Sequence, residues 1–211
     1  MQSFLKSKNM MLILSSPSGA GKSSLTKHIL ASEPRLCVSV SFTTRSIRVG
    51  EKDGEDYHFI SLENFQNMVE AGEFIEYAEV YGNYYGTPKY SIVKSDDIIF
   101  DIDWQGAKAL REKMPEDVVS IYILPPSIEE LEKRLRHRNQ DPEEIISMRM
   151  SQAISEMKHY SEYDYVIIND NFDDSLFKLK TILHAERLKR IRQENLEEFA
   201  KKCINTKLIN L

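Results

Sequence analysis

Four short apolar runs along the chain are continuous rather than alternating: residues 10–15 (MMLILS), 98–103 (IIFDID), 118–124 (VVSIYIL) and 165–168 (YVII). Strands covered on both faces of a parallel sheet have this pattern. The segments between them carry helical spacing. From Lys22 the apolar positions are Leu25, Ile29 and Leu30, ending near Pro34; residues 128–138 are helical and densely charged; residues 139–142 break the pattern, and residues 142–160 resume it. From Asp174 onward Leu176, Leu179 and Leu183 recur in a long charged helix. Strands alternating with helices predict an α/β fold, a parallel sheet flanked by helices. Residues 39–89 interrupt that alternation. Within them, residues 38–42 and 57–60 read as strands around a polar, glycine-bearing loop over 43–56. A helix over 62–71 stops at Gly72, and strands over 74–81 and 84–86 flank a turn at Gly82-Asn83. This stretch is the candidate inserted subdomain.

With 211 residues the chain makes one large domain or one domain with an insertion. Hydrophobic residues at 41% and charged residues at 29% place it among globular proteins that build a core without staples. The formal net charge of −5 argues against a general nucleic-acid binder, whose footprint is basic, and against a polybasic membrane anchor. No apolar run approaches the ~18 residues of a membrane span. Lys6 and Lys8 precede the apolar residues 10–14 as in a signal peptide, but the run is shorter than the roughly 7–15 residues of an h-region, and no A-x-A-like site follows; a buried first strand is the better reading. Cys37 and Cys203 form no C-x-x-C pair, and the five histidines have no ligand spacing. A reduced, cytoplasmic setting is expected, with no nucleic-acid or membrane partner; a homo-oligomer is compatible with the chain.

The strongest local signal is S-P-S-G-A-G-K-S over residues 16–23, between a buried strand and a helix. That is the setting in which a P-loop match carries meaning. Gly19 and Gly21 let backbone amides curl around an anion, and the helix starting at Lys22 adds free N–H groups and partial positive charge. The candidate ATP site is therefore Ser16, Pro17, Ser18, Gly19, Ala20, Gly21, Lys22, Ser23 and Ser24. Lys22 would reach the β/γ-phosphates, and the Ser23 hydroxyl would ligate Mg²⁺. Ser16 stands where the general pattern has glycine. A P-loop by itself indicates a nucleoside triphosphate, not a reaction.

A second constellation narrows the choice. Thr43-Thr44-Arg45-x-x-Arg48-x-Gly50-Glu51 leads to Gly54-x-Asp56-Tyr57-x-Phe59, then Phe74-Ile75-Glu76 and Gly82-Asn83-Tyr84-Tyr85-Gly86-Thr87, with Asp101-x-Asp103-x-Gln105-Gly106 further on. In this combination the sequence resembles the guanylate kinases over about residues 12–170. The resemblance implies a P-loop kinase core over 1–38, 90–124 and 160–211, a GMP-binding insertion over 39–89 and a short helical lid over 125–159. It implies Mg²⁺-dependent transfer from ATP to GMP, and to dGMP, without a covalent enzyme intermediate.

The residues suit that chemistry in their own right. Arg45 and Arg48 share a loop, where two guanidinium forks can close on a phosphate dianion; a solvated basic loop is the plain alternative for either alone. The resemblance adds the Tyr57 and Tyr85 hydroxyls to the same phosphate. Guanine presents N1–H and N2–H₂ side by side, a pair one carboxylate accepts together, whereas adenine N1 is an acceptor. The family assigns this role to Glu76, with Ser41 and Thr87 as further base contacts. Asp101 and Asp103 sit two apart on the predicted strand, on one face, as the acidic side of the metal and GMP sites; the pattern does not assign which serves the metal, and an N-cap for the next helix is the competing role. Arg134 and Arg138 are four apart on one helix and Arg149 lies on the next. An i,i+4 pair of Glu130 with Arg134 is the plain reading, while the resemblance makes all three lid arginines that act on the migrating phosphoryl group. Asn169, after the YVII strand, is a weaker candidate for contacting adenine.

Three rival functions remain. A non-catalytic binding module of the same fold typically has a damaged P-loop, yet Lys22 is intact. A GTPase switch needs an N-K-x-D guanine-reading motif, which the sequence lacks. A kinase for AMP or a pyrimidine nucleotide would not need Glu76 in this setting.

Overall fold

The computed structural model describes residues 8–93, 96–138 and 143–208. Strand β1 (Met11–Ser15) runs into the glycine loop and helix α1 (Lys22–Ser32), followed by β2 (Leu36–Val38). Strands β3 (Phe42–Thr43) and β4 (His58–Phe59), helix α2 (Leu62–Glu70) and the hairpin β5 (Phe74–Val80) and β6 (Asn83–Pro88) come next. The chain then alternates β7 (Asp97–Asp101), α3 (Trp104–Lys113), β8 (Val118–Leu124), α4 (Ile128–Arg138), α5 (Glu143–Met157), β9 (Tyr165–Ile168), α6 (Phe172–Arg187) and α7 (Leu196–Leu208).

Five strands form an all-parallel sheet in the order β2-β7-β1-β8-β9, and four form a second sheet in the order β4-β3-β6-β5. The central strand β1 is buried along its whole length. Alternation explains why its run is continuously apolar. Met10, Leu12 and Leu14 pack on one side with Leu25, Ile29, Leu179 and Leu183 of α1 and α6. Met11 and Ile13 pack on the other with Phe100, Tyr122, Ala107 and Leu110.

Several expectations shift. The single strand expected over 38–42 is two strands in two sheets. Ser39 N–H still bonds to Ile99 O at 3.0 Å, but Ser39, Ser41 and Thr43 are the buried positions, so the polar phase of the run faces inward and the chain changes sheet between them. The IIFDID strand ends at Asp101, because Asp103 turns to cap α3 and accepts from Gly106 N–H at 3.0 Å. The YVII strand is an edge: only Ile167 is buried, and Val166 and Ile168 are exposed. The hairpin turn is Tyr81-Gly82 rather than Gly82-Asn83, with φ of 54° and 73°, as a two-residue connection with both φ positive requires. The last helix of the prediction is interrupted: α6 stops at Arg187 and α7 follows. The expected break over 139–142 lies outside the described residues.

On the α1–α6 side, helices and parallel sheet are tied by a charge network that the pattern does not reveal. Asp97, fully buried, accepts from Met10 N–H at 2.9 Å and from Arg187 Nε at 2.7 Å. Arg187 also donates to Glu33 Oε2 at 2.9 Å. Burial opposes ionisation of Glu33, yet its bonds from Arg187 and His184 hold its carboxyl below the usual range. Arg187→Met leaves Asp97 buried without its cation and should lower stability by about 3–5 kcal/mol in urea unfolding at neutral pH; a loss under about 1 kcal/mol would show that the network bears little of the fold.

Candidate active site

Where the C-terminal ends of the parallel strands face the second sheet and the α4–α5 pair, a cleft of about 870 Å³ opens. In open α/β sheets ligands bind at this edge. From the glycine loop it is lined by Ser16, Pro17, Ser18, Gly19, Gly21, Lys22, Ser23 and Ser24; from the segment of the second sheet by Ser41, Arg48, Tyr57, Glu76 and Tyr85; from the end of β7 by Asp101 and Asp103; and from α4 by Arg134. Sequence motifs up to 118 positions apart (16 to 134) therefore meet in one cavity.

Gly21 caps α1 with φ +99° and no side-chain cap, so the first amides of the helix are left for an incoming anion. A Cβ there would stand 2.3 Å from Asn169 Nδ2. Asn169 donates that Nδ2 to Ala20 O at 2.7 Å, while its own carbonyl accepts from Arg134 at 3.2 and 3.3 Å. Ala20 and Asn169 are buried behind the loop and do not line the cleft. Asn169 thus braces the loop against α4. Arg134 also holds Glu130 at 3.1 Å, the plain i,i+4 pair.

Lys22 Nζ lies 2.6 Å from Asp101 Oδ1 and donates to Ile102 O at 3.2 Å. Burial pulls its pKa down, but Asp101, with Asp103 behind it, outweighs this and leaves it above the ordinary value. The ammonium is fixed before any ligand arrives.

Glu76 is 5% exposed, and the carboxylate is backed by a chain of hydroxyls. Thr87 Oγ1 donates to it, and Ser41 Oγ meets Thr87 Oγ1 at 3.4 Å. Burial raises its pKa to about 7; the Thr87 bond and Lys113 pull it down, and Asp103 pushes it up. The same carboxylate explains Gly106, whose place in the D-x-D-x-Q-G pattern carried no role in the sequence: a Cβ at 106 would lie 2.5 Å from Glu76 Oε2. Thr87 itself is fully buried behind the cleft wall.

The two loop arginines part company. Arg48 lines the cleft, whereas the Arg45 guanidinium sits behind it. Arg45 grips Glu51 with both terminal nitrogens, at 3.0 and 2.9 Å, and lies over the rings of Tyr57 and Phe59 at 5.4 and 5.6 Å. Burial lowers its pKa, but its bonds to Glu51 and Tyr85 more than compensate. Glu51 also accepts from Arg48 N–H at 2.8 Å, so one carboxylate shapes the loop that presents both arginines. Its position in the charged run gave no sign of this. Burial and the nearby Asp101 charge raise the Tyr57 pKa, which keeps its hydroxyl a donor.

Of the other arginines, Arg149 is half-buried on α5 and does not line the cleft, though its charge acts on Tyr81. The Arg138 side chain lies outside the described residues. Lys133 and His137 of α4, Tyr81 of the hairpin turn and Glu156 of α5 also line the cleft; no motif singled them out, because each arrives through packing of a distant element.

A family model for guanylate kinase matches residues 8–186. Among curated relatives, a guanylate kinase of Maricaulis maris is 55% identical over 196 residues, covering 91% of this chain and 90% of the relative. One of Vibrio cholerae is 54% identical, covering 88% and 92%. The crystal structure of guanylate kinase from Anaplasma phagocytophilum superposes with a TM-score of 0.78 at 40% identity, covering 93% of this chain and 95% of that one.

The contact between Glu76 and residue 106 can be tested by a double-mutant cycle. Gly106→Ala should destabilise the protein by about 1–3 kcal/mol, the usual cost of overpacking, and the penalty should shrink when Glu76→Ala is present. Equal penalties in both backgrounds, read by urea unfolding, would mean the glycine is not there for the carboxylate.

Proposed function

The chain belongs to the guanylate kinase family and transfers a phosphoryl group from ATP to GMP, giving ADP and GDP, and we propose that it binds ATP at the glycine loop and GMP, or dGMP, at the Glu76 side of the same cleft. The observation that carries this reading is a single cavity holding Lys22 and Glu76 together, a fixed cation and a buried base-reading carboxylate. In this reading the core is 1–38, 90–124 and 160–211, the GMP-binding insertion 39–89 and the lid 125–159.

Each group has a task. Amides of residues 16–24 and the start of α1 cradle the triphosphate, with Asn169 bracing the loop from behind, and Lys22 neutralises charge as the terminal phosphoryl group leaves ADP. Glu76 accepts N1–H and N2–H₂ of guanine, with Ser41 beside it and Thr87 orienting it. Arg48, Tyr57 and Tyr85 hold the GMP phosphate. Arg45 joins them by exchanging Glu51 for phosphate or by keeping the tyrosine hydroxyls aimed. Asp103 caps α3 and faces GMP. Arg134, Arg138 and Arg149 stabilise the migrating phosphoryl group as the lid approaches. Attack by a GMP phosphate oxygen in line with the leaving ADP needs positioning and charge stabilisation, not a protein nucleophile.

The donor set fits Mg²⁺. Ser23 in the cleft and Asp101 at the end of β7 are hard oxygen donors. No group of three potential ligand side chains occurs among the described residues, which suits an ion completed by phosphate oxygens and water. When bound there, Mg²⁺ offsets charge on the β- and γ-phosphates. No helix among the described residues is long and apolar enough to cross a membrane, and with Cys37 and Cys203 as free thiols a cytoplasmic location is the natural setting.

Lys22→Met should lower kcat by at least ~10², as loss of one transition-state charge donor does, while GMP binding without ATP changes little; wild-type turnover would contradict the assignment. A pH profile tests Glu76. Its pKa near 7 means that in the free enzyme the carboxyl is protonated below that pH, and guanine must displace the proton. The kcat/KM for GMP should therefore fall about tenfold per unit below pH 7 and level off above. Stability should run the opposite way. A raised carboxyl pKa favours the fold below about 4.5, the unfolded value, and that contribution is lost as pH climbs from there to about 7. A kcat/KM for GMP that is flat between pH 5.5 and 8 would remove Glu76 from the base site.

A further inference from the structure

We propose that Glu156 is a positioning residue for phosphoryl transfer, a latch that ties the hairpin turn at Tyr81 to α5 and so fixes the face of α5 that carries Arg149. The inference rests on the placement of ATP and GMP given above. Glu156 belongs to none of the motifs, yet it lines the cleft and joins α5 to the hairpin turn and to β8. The Tyr81 hydroxyl, at the tip of the β5–β6 hairpin, donates to Glu156 Oε1 at 2.7 Å. Ser18 of the glycine loop, Lys22 and Asp103 line the same cleft as this carboxylate. Its own carbonyl accepts from the buried Tyr122 hydroxyl of β8 at 2.7 Å, which pins this turn of α5 to the parallel sheet.

The position along α5 gives the latch a consequence for chemistry. Arg149 precedes Glu156 by seven residues, about two helical turns, so both lie on one face of α5. The Tyr81–Glu156 bond turns this face to the hairpin, and the charge of Arg149 acts on the same hydroxyl. A rotation of α5 that releases Glu156 carries Arg149 away as well. The turn at Tyr81 moves with the strands bearing Glu76 and Tyr85, the glycine loop carries the donor phosphates, and α5 carries an arginine for the group in flight. One carboxylate holds the hairpin and α5 in register beside the glycine loop. A side chain without an acceptor oxygen at 156 would leave the Tyr81 hydroxyl without this partner.

Three variants test it in steady-state assays of ADP formation from ATP and GMP. Tyr81→Phe removes one hydroxyl from a partly exposed side chain and should keep the fold, with kcat lowered about 3–10-fold, the worth of one hydrogen bond, and both KM values within about twofold. Glu156→Ala should lower kcat about 10–100-fold, whereas Glu156→Gln, which retains an acceptor oxygen for Tyr81, should return kcat to within about threefold of wild type. Adding Tyr81→Phe to Glu156→Ala should cost nothing more. Wild-type kcat in Tyr81→Phe, equal damage from Gln and Ala at 156, or independent losses in the double variant would each overturn the latch. With Lys22→Met assayed alongside, the failures separate: an active Lys22→Met removes the site assignment and the latch with it, and an inactive one beside an unaffected Tyr81→Phe removes the latch alone.

Discussion

The ion pair between Lys22 and Asp101 joins the two adjacent strands from which the cleft is built. β1 delivers the glycine loop and the lysine; β7, paired with it in register at Leu14 and Asp101, delivers the carboxylate. The pair settles a conflict inherent to a phosphate site. A half-buried ammonium must be stabilised in the free protein without being so tightly neutralised that a phosphate cannot recruit it. A single 2.6 Å contact plus the Ile102 carbonyl leaves one donor of the ammonium for the ligand. The same solution recurs around the cleft: Arg45 waits on Glu51, Arg134 on Glu130 and Asn169 O, and the Tyr81 hydroxyl on Glu156. Cations and donors are held in place by internal acceptors, so little reorganisation is left for the moment of reaction.

The Glu76 side obeys the opposite rule. There the protein buries a carboxylate with hydroxyl support and, among the described residues, no paired cation in contact, against the bare Cα of Gly106, and burial lifts its pKa to about 7 although the Lys113 charge opposes this. A group so placed is costly until a partner with two adjacent donors arrives, and a base that offers an acceptor leaves it unsatisfied. Sites built in this way discriminate by the penalty on the wrong ligand rather than by added attraction to the right one.

What the sequence made legible was local. The continuous run of β1, the S-P-S-G-A-G-K-S loop and the start of α1 all follow from residues within a dozen positions, and their geometry appears as expected. Asp101 and Asp103 were placed correctly in the chain but not on one strand, since capping of α3 by Asp103 is decided by where the helix begins. The 38–42 segment reads as one strand, whereas the chain changes sheet within it and buries the polar positions Ser39, Ser41 and Thr43, of which Ser41 lines the cleft. Gly106, Tyr81 and Glu156 act through contacts with distant elements, and no spacing in one sequence encodes such meetings. Asn169 stands out by its position after β9, and its bond to Ala20 O, a partner 149 positions away, is a brace that no spacing shows.

The account rests most heavily on Glu76 as the group that reads the base. The decisive measurement is the ratio of kcat/KM for GMP over AMP, with ATP as donor, in the wild type and in Glu76→Gln. The glutamine keeps the shape but turns one acceptor into a donor that faces guanine's own N–H groups. The account predicts that the ratio collapses, with GMP losing roughly 1–3 kcal/mol or more and AMP losing less. An unchanged ratio in a folded, active variant would contradict it.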